Sequence, residues 1–281
     1  MKSLANLRID LETALAGRVP SPFTHRTEKI IETVSTGIPE VDFLTGGLPR
    51  GSLTEICGPA GSGHTSMLLA ALAARTEKLE ACALIDGRDA FDPLSAEAAG
   101  VNLKNLLWVR CRNINQSLRA TDLLLRSGGF GLIALDLSDI PPQTVRYVPL
   151  NAWFRFQKTV EDTPTILLLL DQESNAKTCA SLVLSLGMNS AGWSAPPEVA
   201  QPQSQPNSLA RLLNGCRVHA KVLRSRITPI TAISSHPSFV PRAAMHSQET
   251  FRSYSETGFE VRTMWSYSGS MTSSPADPKL K

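Results

Sequence analysis

A glycine-rich turn between an apolar strand and an apolar helix constrains this chain most strongly. Residues 58–65 are Gly-Pro-Ala-Gly-Ser-Gly-His-Thr; they follow the apolar run 53–57 and precede an apolar helical pattern at 65–75. This is the context of a phosphate-binding loop, G-x-x-x-x-G-K-[ST], whose backbone N–H groups converge on phosphate oxygens at a helix N-terminus. The predicted phosphate-contacting residues are Gly58, Pro59, Ala60, Gly61, Ser62, Gly63, His64, Thr65 and Ser66.

One position departs from the pattern, because His64 stands where a lysine is expected. A lysine ammonium reaches the β and γ phosphates as a compact charge, whereas neutral imidazole is shorter and donates one hydrogen bond at most. Most of the cradle is backbone and is retained. We therefore expect weakened binding of ATP and Mg²⁺, with a glycine-rich turn that binds nothing as the alternative.

A second element of the same kind lies about seventy residues further on. Residues 131–136 are Gly-Leu-Ile-Ala-Leu-Asp, a buried strand that ends in an acidic residue. Such an aspartate holds the Mg²⁺ shell in P-loop proteins, so Thr65 and Asp136 are the predicted Mg²⁺ ligands. A simple turn aspartate is the alternative.

Apolar strands and helices alternate through most of the chain. Strands are predicted at residues 53–57, 81–85, 106–109, 132–135 and 165–170, and helices at 65–75, 93–99, 115–127 and about 150–160. This alternation predicts an α/β fold with a mostly parallel sheet that is covered on both faces. Two further strands, 181–186 and 212–223, follow without helices between them and predict a β-rich C-terminal part.

The pattern divides the chain into six predicted segments. Leucines at helical spacing predict a short N-terminal helix in residues 1–18, which we expect to dock on a partner chain, with packing onto its own core as the alternative. The remaining segments are a linker (19–34), the nucleotide-binding core (35–187), a Pro/Gln-rich loop (188–208), a β-rich extension (209–268) and a disordered tail (269–281).

Composition limits the location and the metal chemistry. The net charge is +3, and the five cysteines form no C-x-x-C pair, so buried thiols in a reducing compartment are expected instead of a zinc site. No apolar run is long enough to span a bilayer and no signal peptide is recognisable. We therefore expect a soluble, cytoplasmic protein without a membrane partner.

Several motifs in order carry a family resemblance. Residues 35–42, 46–51, 55–59, 85–93 and 100–107 closely resemble successive segments of the RecA recombinase core. Gln172 matches the glutamine by which RecA senses the γ-phosphate. The likeness spans about residues 35–186 and implies a RecA-like P-loop NTPase fold.

Within that superfamily the chain looks most like ImuA, a RecA-like accessory of damage-induced mutagenesis. The likeness rests on residues 36–55 and on the late segment 212–226. It implies an ImuB-like Y-family polymerase relative and an error-prone replicative polymerase as partners. RecA itself and single-stranded DNA are further candidate partners.

Departures from the RecA pattern concern the chemistry. Arg88 occupies the position of the glutamate that activates the attacking water, and arginine stays protonated, so it is not a general base. Ser95 replaces the tyrosine that stacks on adenine, whereas Asp92 matches an acidic residue near the base. These departures imply absent or weak ATP hydrolysis.

Two interpretations of Arg88 remain open. We expect its strand to lie next to the strand of the phosphate loop, so that its side chain can reach the γ-phosphate and replace the charge lost at His64. An ion pair with Asp86 or Asp136 is the favoured alternative.

The segment after Gln172 is short, which disfavours DNA binding by RecA-type loops. Positive residues in the last third are the alternative contacts, and Arg217, Lys221 and Arg224 are the predicted DNA site. In a regular strand Arg217 and Lys221 share a face, and Arg224 joins them only at a bulge or a strand end.

Three functions remain open. The first is a DNA repair accessory of SOS-induced translesion synthesis that hydrolyses ATP weakly or not at all. The second is an ATP-dependent recombinase that binds single-stranded DNA. The third is an SOS cell-division inhibitor, a class that also resembles the RecA core.

Overall fold

The computed structural model describes residues 31–193, 213–226 and 256–262, and all of them except residue 31 belong to the compact unit Glu32–Lys281. The predicted N-terminal helix, the disordered tail and most of the linker and the Pro/Gln-rich loop lie outside these residues. Among the described helices, none is both long and apolar enough to cross a bilayer.

The central layer is an eight-stranded sheet. Its strands are β3 (Ser52–Cys57), β4 (Cys82–Asp86), β5 (Leu106–Arg110), β6 (Leu132–Asp136), β7 (Ile166–Asp171), β8 (Leu182–Trp193), β9 (Leu213–Ser225) and β10 (Glu256–Arg262). Their order across the sheet is β10-β9-β8-β3-β7-β6-β4-β5. The six strands from β8 to β5 are parallel, and β9 and β10 add antiparallel pairs at one side. The predicted α/β fold with a mostly parallel sheet is confirmed.

Helices cover both faces of this sheet. They are α1 (Pro39–Thr45), α2 (His64–Thr76), α3 (Pro93–Ala98), α4 (Ile114–Ser127), α5 (Pro142–Arg146) and α6 (Leu150–Glu161). Single turns of 3-10 helix lie at Leu103–Asn105 and Lys177–Cys179, and a small hairpin pairs β1 (Thr33–Val34) with β2 (Leu48–Pro49). The end of the predicted linker is therefore strand.

Strand β7 shows how the sequence produces this layering. Its residues alternate between two cores: Ile166, Leu168 and Leu170 pack on the side of α2, whereas Leu167 and Leu169 pack on the side of α4 and α6. Successive side chains of a strand point to opposite faces, so an uninterrupted apolar run fits only a strand that is buried on both.

Two predictions about the strands were wrong. Strand β8 continues to Trp193, so residues 188–193 of the predicted Pro/Gln-rich loop belong to the sheet, where β9 pairs with them. Strand β4 is not next to β3, because β7 and β6 lie between them. Strand order is set by long-range packing, which the local apolar pattern does not encode.

Candidate nucleotide site

The turn between β3 and α2 has the backbone of a phosphate-binding loop. Gly61 and Gly63 have φ of 77° and 98°, in the left-handed region that favours glycine. Gly63 is the N-cap of α2 and has no side chain that could accept a hydrogen bond. The first N–H groups of the helix therefore point out of the turn without a side-chain acceptor. An anion is the natural partner of such a helix end.

The loop is held tightly by the C-terminal strands. The Gly58 N–H donates to the carbonyl of Asp171 (3.3 Å), and a Cβ on Gly58 would lie 2.3 Å from the carbonyl oxygen of Leu186 in β8. A Cβ on Gly63 would lie 3.0 Å from Val218 in β9. Strands β8 and β9 therefore form a wall against the loop and fix its course.

His64 is turned inward at the start of α2. Its side chain is 95% buried by residue area (5% exposed), Nδ1 lies 3.4 Å from the Ser62 hydroxyl, and Nε2 has no partner of hydrogen-bonding geometry. Burial lowers the pKa of the imidazole, and the charge of Asp139 and the carbonyl of Asp171 raise it by less. The ring is therefore neutral near pH 7 and keeps an unused buried nitrogen at the loop.

The proposed Mg²⁺ ligands stand at the ends of α2 and β6. Thr65 is exposed at the start of α2. The Asp136 carboxylate accepts from the Ser138 N–H (3.0 Å) and hydroxyl (2.6 Å) through Oδ1, and burial raises its pKa. Within the described ranges no three His, Cys, Asp or Glu side chains are grouped to hold a metal. The arrangement fits Mg²⁺ only when phosphate oxygens complete its shell.

Gln172 lies beside both elements. Its amide nitrogen donates to the Ser138 carbonyl (2.7 Å), just after the strand that carries Asp136. Since β7 runs between β3 and β6, Gln172 emerges between the phosphate loop and the Asp136 turn. This position suits a residue that senses a phosphate, and the role itself stays a prediction.

The corner after β4 is a structural turn centred on Asp86. Its carboxylate accepts from the backbone N–H groups of Arg88 (3.1 Å), Ala90 (3.2 Å) and Phe91 (2.9 Å), and from the Trp108 indole (3.2 Å). The Arg88 side chain is exposed, and among the described residues it forms no ion pair with Asp86 or Asp136. The prediction that Arg88 pairs with one of these aspartates is therefore wrong.

Asp92 is the N-cap of α3. Its carboxylate accepts from the N–H groups of Leu94 (3.2 Å) and Ser95 (3.0 Å) and from the Ser95 hydroxyl (2.5 Å). The Ser95 hydroxyl is the main cause that lowers the pKa of this carboxyl. These bonds use the acidic group that was predicted to face adenine, and its role in binding a base stays a prediction.

Sequence reasoning missed a buried polar cluster beneath the loop. The fully buried Glu55 of β3 accepts from the N–H groups of Asn175 (2.6 Å) and Ala176 (2.8 Å) and from the Ser174 hydroxyl (2.6 Å). Burial also raises the pKa of the Asp171 carboxyl to about 6, although the Asn175 amide donates to it (2.7 Å). A charged residue inside the apolar strand 52–57 was the available signal.

The two segments that would correspond to DNA-binding loops are short and joined to each other. Residues 137–149 hold α5, and residues 172–181 hold a single 3-10 turn. Arg146 and Glu173 connect them through two bonds of 2.6 Å. Together with the bonds that Glu55 accepts, this pair holds residues 173–176, the first half of the segment after Gln172.

The three predicted DNA residues lie on β9. The register with β8 skips Leu223, so a bulge turns Arg224 to the face that Arg217 and Lys221 share. Arg217 pairs with Glu260 (2.9 Å), Lys221 lies across from Glu256, and Arg224 donates to the Lys177 carbonyl. The two glutamates offset much of the positive charge, and DNA binding here stays a prediction.

Comparison with known proteins identifies the core. Residues 20–143 match the model of the RecA N-terminal domain. RecA of Psychrobacter cryohalolentis is 43% identical over 108 residues, which are 38% of this chain and 31% of that protein. RecA of Allorhizobium ampelinum is 42% identical over 113 residues, which are 39% and 31%. The chain thus matches about a third of the length of these curated relatives, and the matched region is RecA-like.

Proposed function

We propose that this chain, with its RecA-like core, is a DNA repair accessory that binds ATP weakly and hydrolyses it very slowly or not at all. Its resemblance to ImuA supports a role in SOS-induced translesion synthesis. An ImuB-like Y-family polymerase relative and an error-prone replicative polymerase are the proposed partners. In this role the core serves as a scaffold, and bound nucleotide stabilises it.

The observation that carries this proposal is the contrast between two corners of the site. The backbone of residues 58–63 and the N-terminus of α2 are suited to phosphates, and Thr65 and Asp136 are the proposed Mg²⁺ ligands. Bound Mg²⁺ would neutralise charge on the β and γ phosphates. The side chains that accelerate hydrolysis are missing, because His64 is buried and neutral and Arg88 is exposed just after β4, which β7 and β6 separate from β3.

A working recombinase is the second candidate. The position of Gln172 beside Ser138, together with Thr65 and Asp136, favours an intact response to the γ-phosphate. Against it stand the short segments 137–149 and 172–181, which Arg146 and Glu173 tie to each other, because RecA-type loops must move around a strand of DNA.

Restoring the two lost groups tests the proposal. We expect the double variant His64→Lys, Arg88→Glu to hydrolyse ATP at least about 100-fold faster than the wild type, since a positioned charge and a base each contribute on the order of 100-fold or more. Steady-state phosphate release is the measurement. The matched control Arg112→Glu changes an exposed arginine outside the site and should leave the rate unchanged.

Capture experiments with purified proteins separate the remaining functions. The proposal predicts retention of a Y-family polymerase relative and no retention of the division protein FtsZ. Retention of FtsZ alone would support the cell-division inhibitor. Rapid wild-type hydrolysis that rises with single-stranded DNA would support the recombinase.

A further inference from the structure

Large apolar side chains are concentrated on the solvent side of α4 and α6. Leu123 on α4 is 61% exposed, and Phe154 and Leu150 on α6 are 53% and 49% exposed. Tyr147, at the end of α5 just before α6, is 86% exposed. The Asp122–Arg155 ion pair (2.9 Å) connects the two helices and brings their exposed sides together. An exposed group of this size on one face is typical of an interaction site.

A groove lies at one end of these helices, and Tyr147 belongs both to it and to the exposed apolar group. A cavity of about 320 Å³ lies between the start of α4 and the connection from α5 to α6. Its apolar walls are Ile114, Leu118, Tyr147, Val148 and Pro149. Helices α4 and α6 each precede a strand of the parallel sheet, so they run in the same direction with a furrow between them. Such a furrow accepts a third helix, whose side chains fill it at intervals of three and four residues.

The exposed charge on α4 and just before it is positive. Arg112 and Arg119 are exposed, and within the described part of the chain neither has an acidic side chain within ion-pair distance. Helix α4 contains a single acidic residue, Asp122, which Arg126 and Arg155 already share. A partner that brings carboxylates to Arg112 and Arg119 would gain both steering and pairing.

We propose that this surface, the α4–α6 face formed by Leu123, Tyr147, Leu150, Phe154, Arg112 and Arg119, docks an acidic amphipathic helix of a partner protein. The face lies across the sheet from α2 and the phosphate loop, because α4 and α6 cover one core and α2 covers the other. The inference goes beyond the proposed function and holds whether or not nucleotide is bound.

The test uses two synthetic helical peptides with leucines at i, i+3, i+4 and i+7, one with glutamates and one with lysines at the remaining positions. Fluorescence anisotropy with the full chain measures their binding. We expect saturable binding of the glutamate peptide and at least tenfold weaker binding of the lysine peptide. Absence of saturation by the glutamate peptide at millimolar concentration overturns the proposal.

Variants localise the binding. Leu123→Ser with Phe154→Ser should weaken the glutamate peptide about tenfold or more, as loss of apolar anchors does. Arg112→Glu with Arg119→Glu should weaken it about fivefold or more, by charge reversal. The controls Leu94→Ser and Lys104→Glu change an exposed leucine on α3 and an exposed lysine outside the face. Circular dichroism and thermal melts establish that each variant folds.

The remaining outcomes decide against the proposal. Equal weakening by Leu94→Ser or Lys104→Glu would show that the peptide binds without a specific site. Single-stranded DNA and vesicles of anionic lipid are tested as competitors of the labelled peptide. If either one displaces the peptide at a lower concentration than unlabelled peptide does, the face is assigned to that ligand. Light scattering tests whether the face binds a second copy of the chain. A wild-type dimer that the Leu123→Ser, Phe154→Ser variant does not form, together with absence of peptide binding, would assign the face to that second copy.

Discussion

The phosphate loop and the corner after β4 both lie at the C-terminal ends of the parallel strands. The loop keeps the backbone geometry of a phosphate-binding loop, whereas the corner has Arg88 where the resemblance predicts a glutamate. At residues 58–63 the geometry comes from glycine backbone and from the walls of β8 and β9. At residues 86–92 the acidic groups are engaged in structural hydrogen bonds, with Asp86 and Asp92 as acceptors of backbone N–H groups. Binding geometry that is encoded in backbone survives substitution of a side chain, whereas catalysis that depends on one side chain does not.

The largest expected effect would establish that the β4 corner is structural. Replacing Asp86 with alanine leaves three backbone N–H groups and the Trp108 indole without their acceptor. We expect the free energy of unfolding to fall by about 4 kcal/mol, since each abandoned buried donor costs about 1–3 kcal/mol. Urea unfolding measures it.

The matched control for that change is Asp89→Asn. Asp89 pairs with Arg110 in the open, and a surface pair of this kind contributes about 0–1 kcal/mol. An equal loss of stability in the two variants would contradict the view that the corner is organised around Asp86.

Two glycine variants test whether β8 supports the phosphate loop. Gly58→Ala places a Cβ against the backbone of Leu186 and should cost about 3 kcal/mol. Gly61→Ala meets no atom within 4 Å and should cost only about 1 kcal/mol, for its positive φ. Thermal unfolding distinguishes them. If Gly58→Ala is the milder variant, β8 does not support the loop in the way described.

The buried carboxyl beneath the loop gives a dependence on pH. The pKa of Asp171 rises from 3.8 to about 6 on folding, so its favourable contribution is present below pH 3.8 and is lost as the pH rises through 6. Relative to Asp171→Asn, the wild type should therefore lose about 2–3 kcal/mol between pH 4 and pH 7.

Urea unfolding of both proteins across that range measures the difference. Glu173→Gln serves as the control, since Glu173 is exposed and lacks this burial. A stability difference between wild type and Asp171→Asn that does not change with pH would mean that the carboxyl is hydrated in solution.

The smallest expected effect concerns DNA. Replacing both Arg217 and Lys221 with alanine should flatten the slope of log affinity against log salt for single-stranded DNA by at most about 1.4, or two phosphate contacts. The ion pair of Arg217 with Glu260 reduces the change. Binding titrations at several salt concentrations measure it.

Arg112→Ala with Lys104→Ala removes equal charge elsewhere and is the control for the slope. An unchanged slope in the Arg217, Lys221 variant would mean that this face is only solvated. A wild type that binds no DNA at low salt would mean that the protein reaches DNA through its partners.

Local sequence patterns predicted the elements of the fold but not their order. The apolar run 165–170 identified β7, and the glycine-rich turn identified the start of α2 within one residue. The insertion of β7 and β6 between β3 and β4 has no local signature, and for that reason Arg88 was expected beside the phosphate loop.

The candidate site was predictable where a motif defines it and not where packing does. Thr65, Asp136 and Gln172 lie at the ends of the predicted elements along one edge of the sheet. The buried state of His64, the anchor at Glu55 and the bulge that turns Arg224 all depend on contacts with distant strands. Arg224 was predicted to join Arg217 and Lys221 on one face only at a bulge or a strand end. The bulge is visible only in the register of β9 with β8.

The central claim is that the loop still binds phosphate while hydrolysis has been lost. The direct measurement is calorimetric titration of the purified chain with Mg²⁺-ATP, followed by steady-state turnover with and without single-stranded DNA. The account predicts saturable binding and a rate far below about one per second in both conditions. A DNA-stimulated rate near one per second that Asp136→Ala abolishes would contradict it.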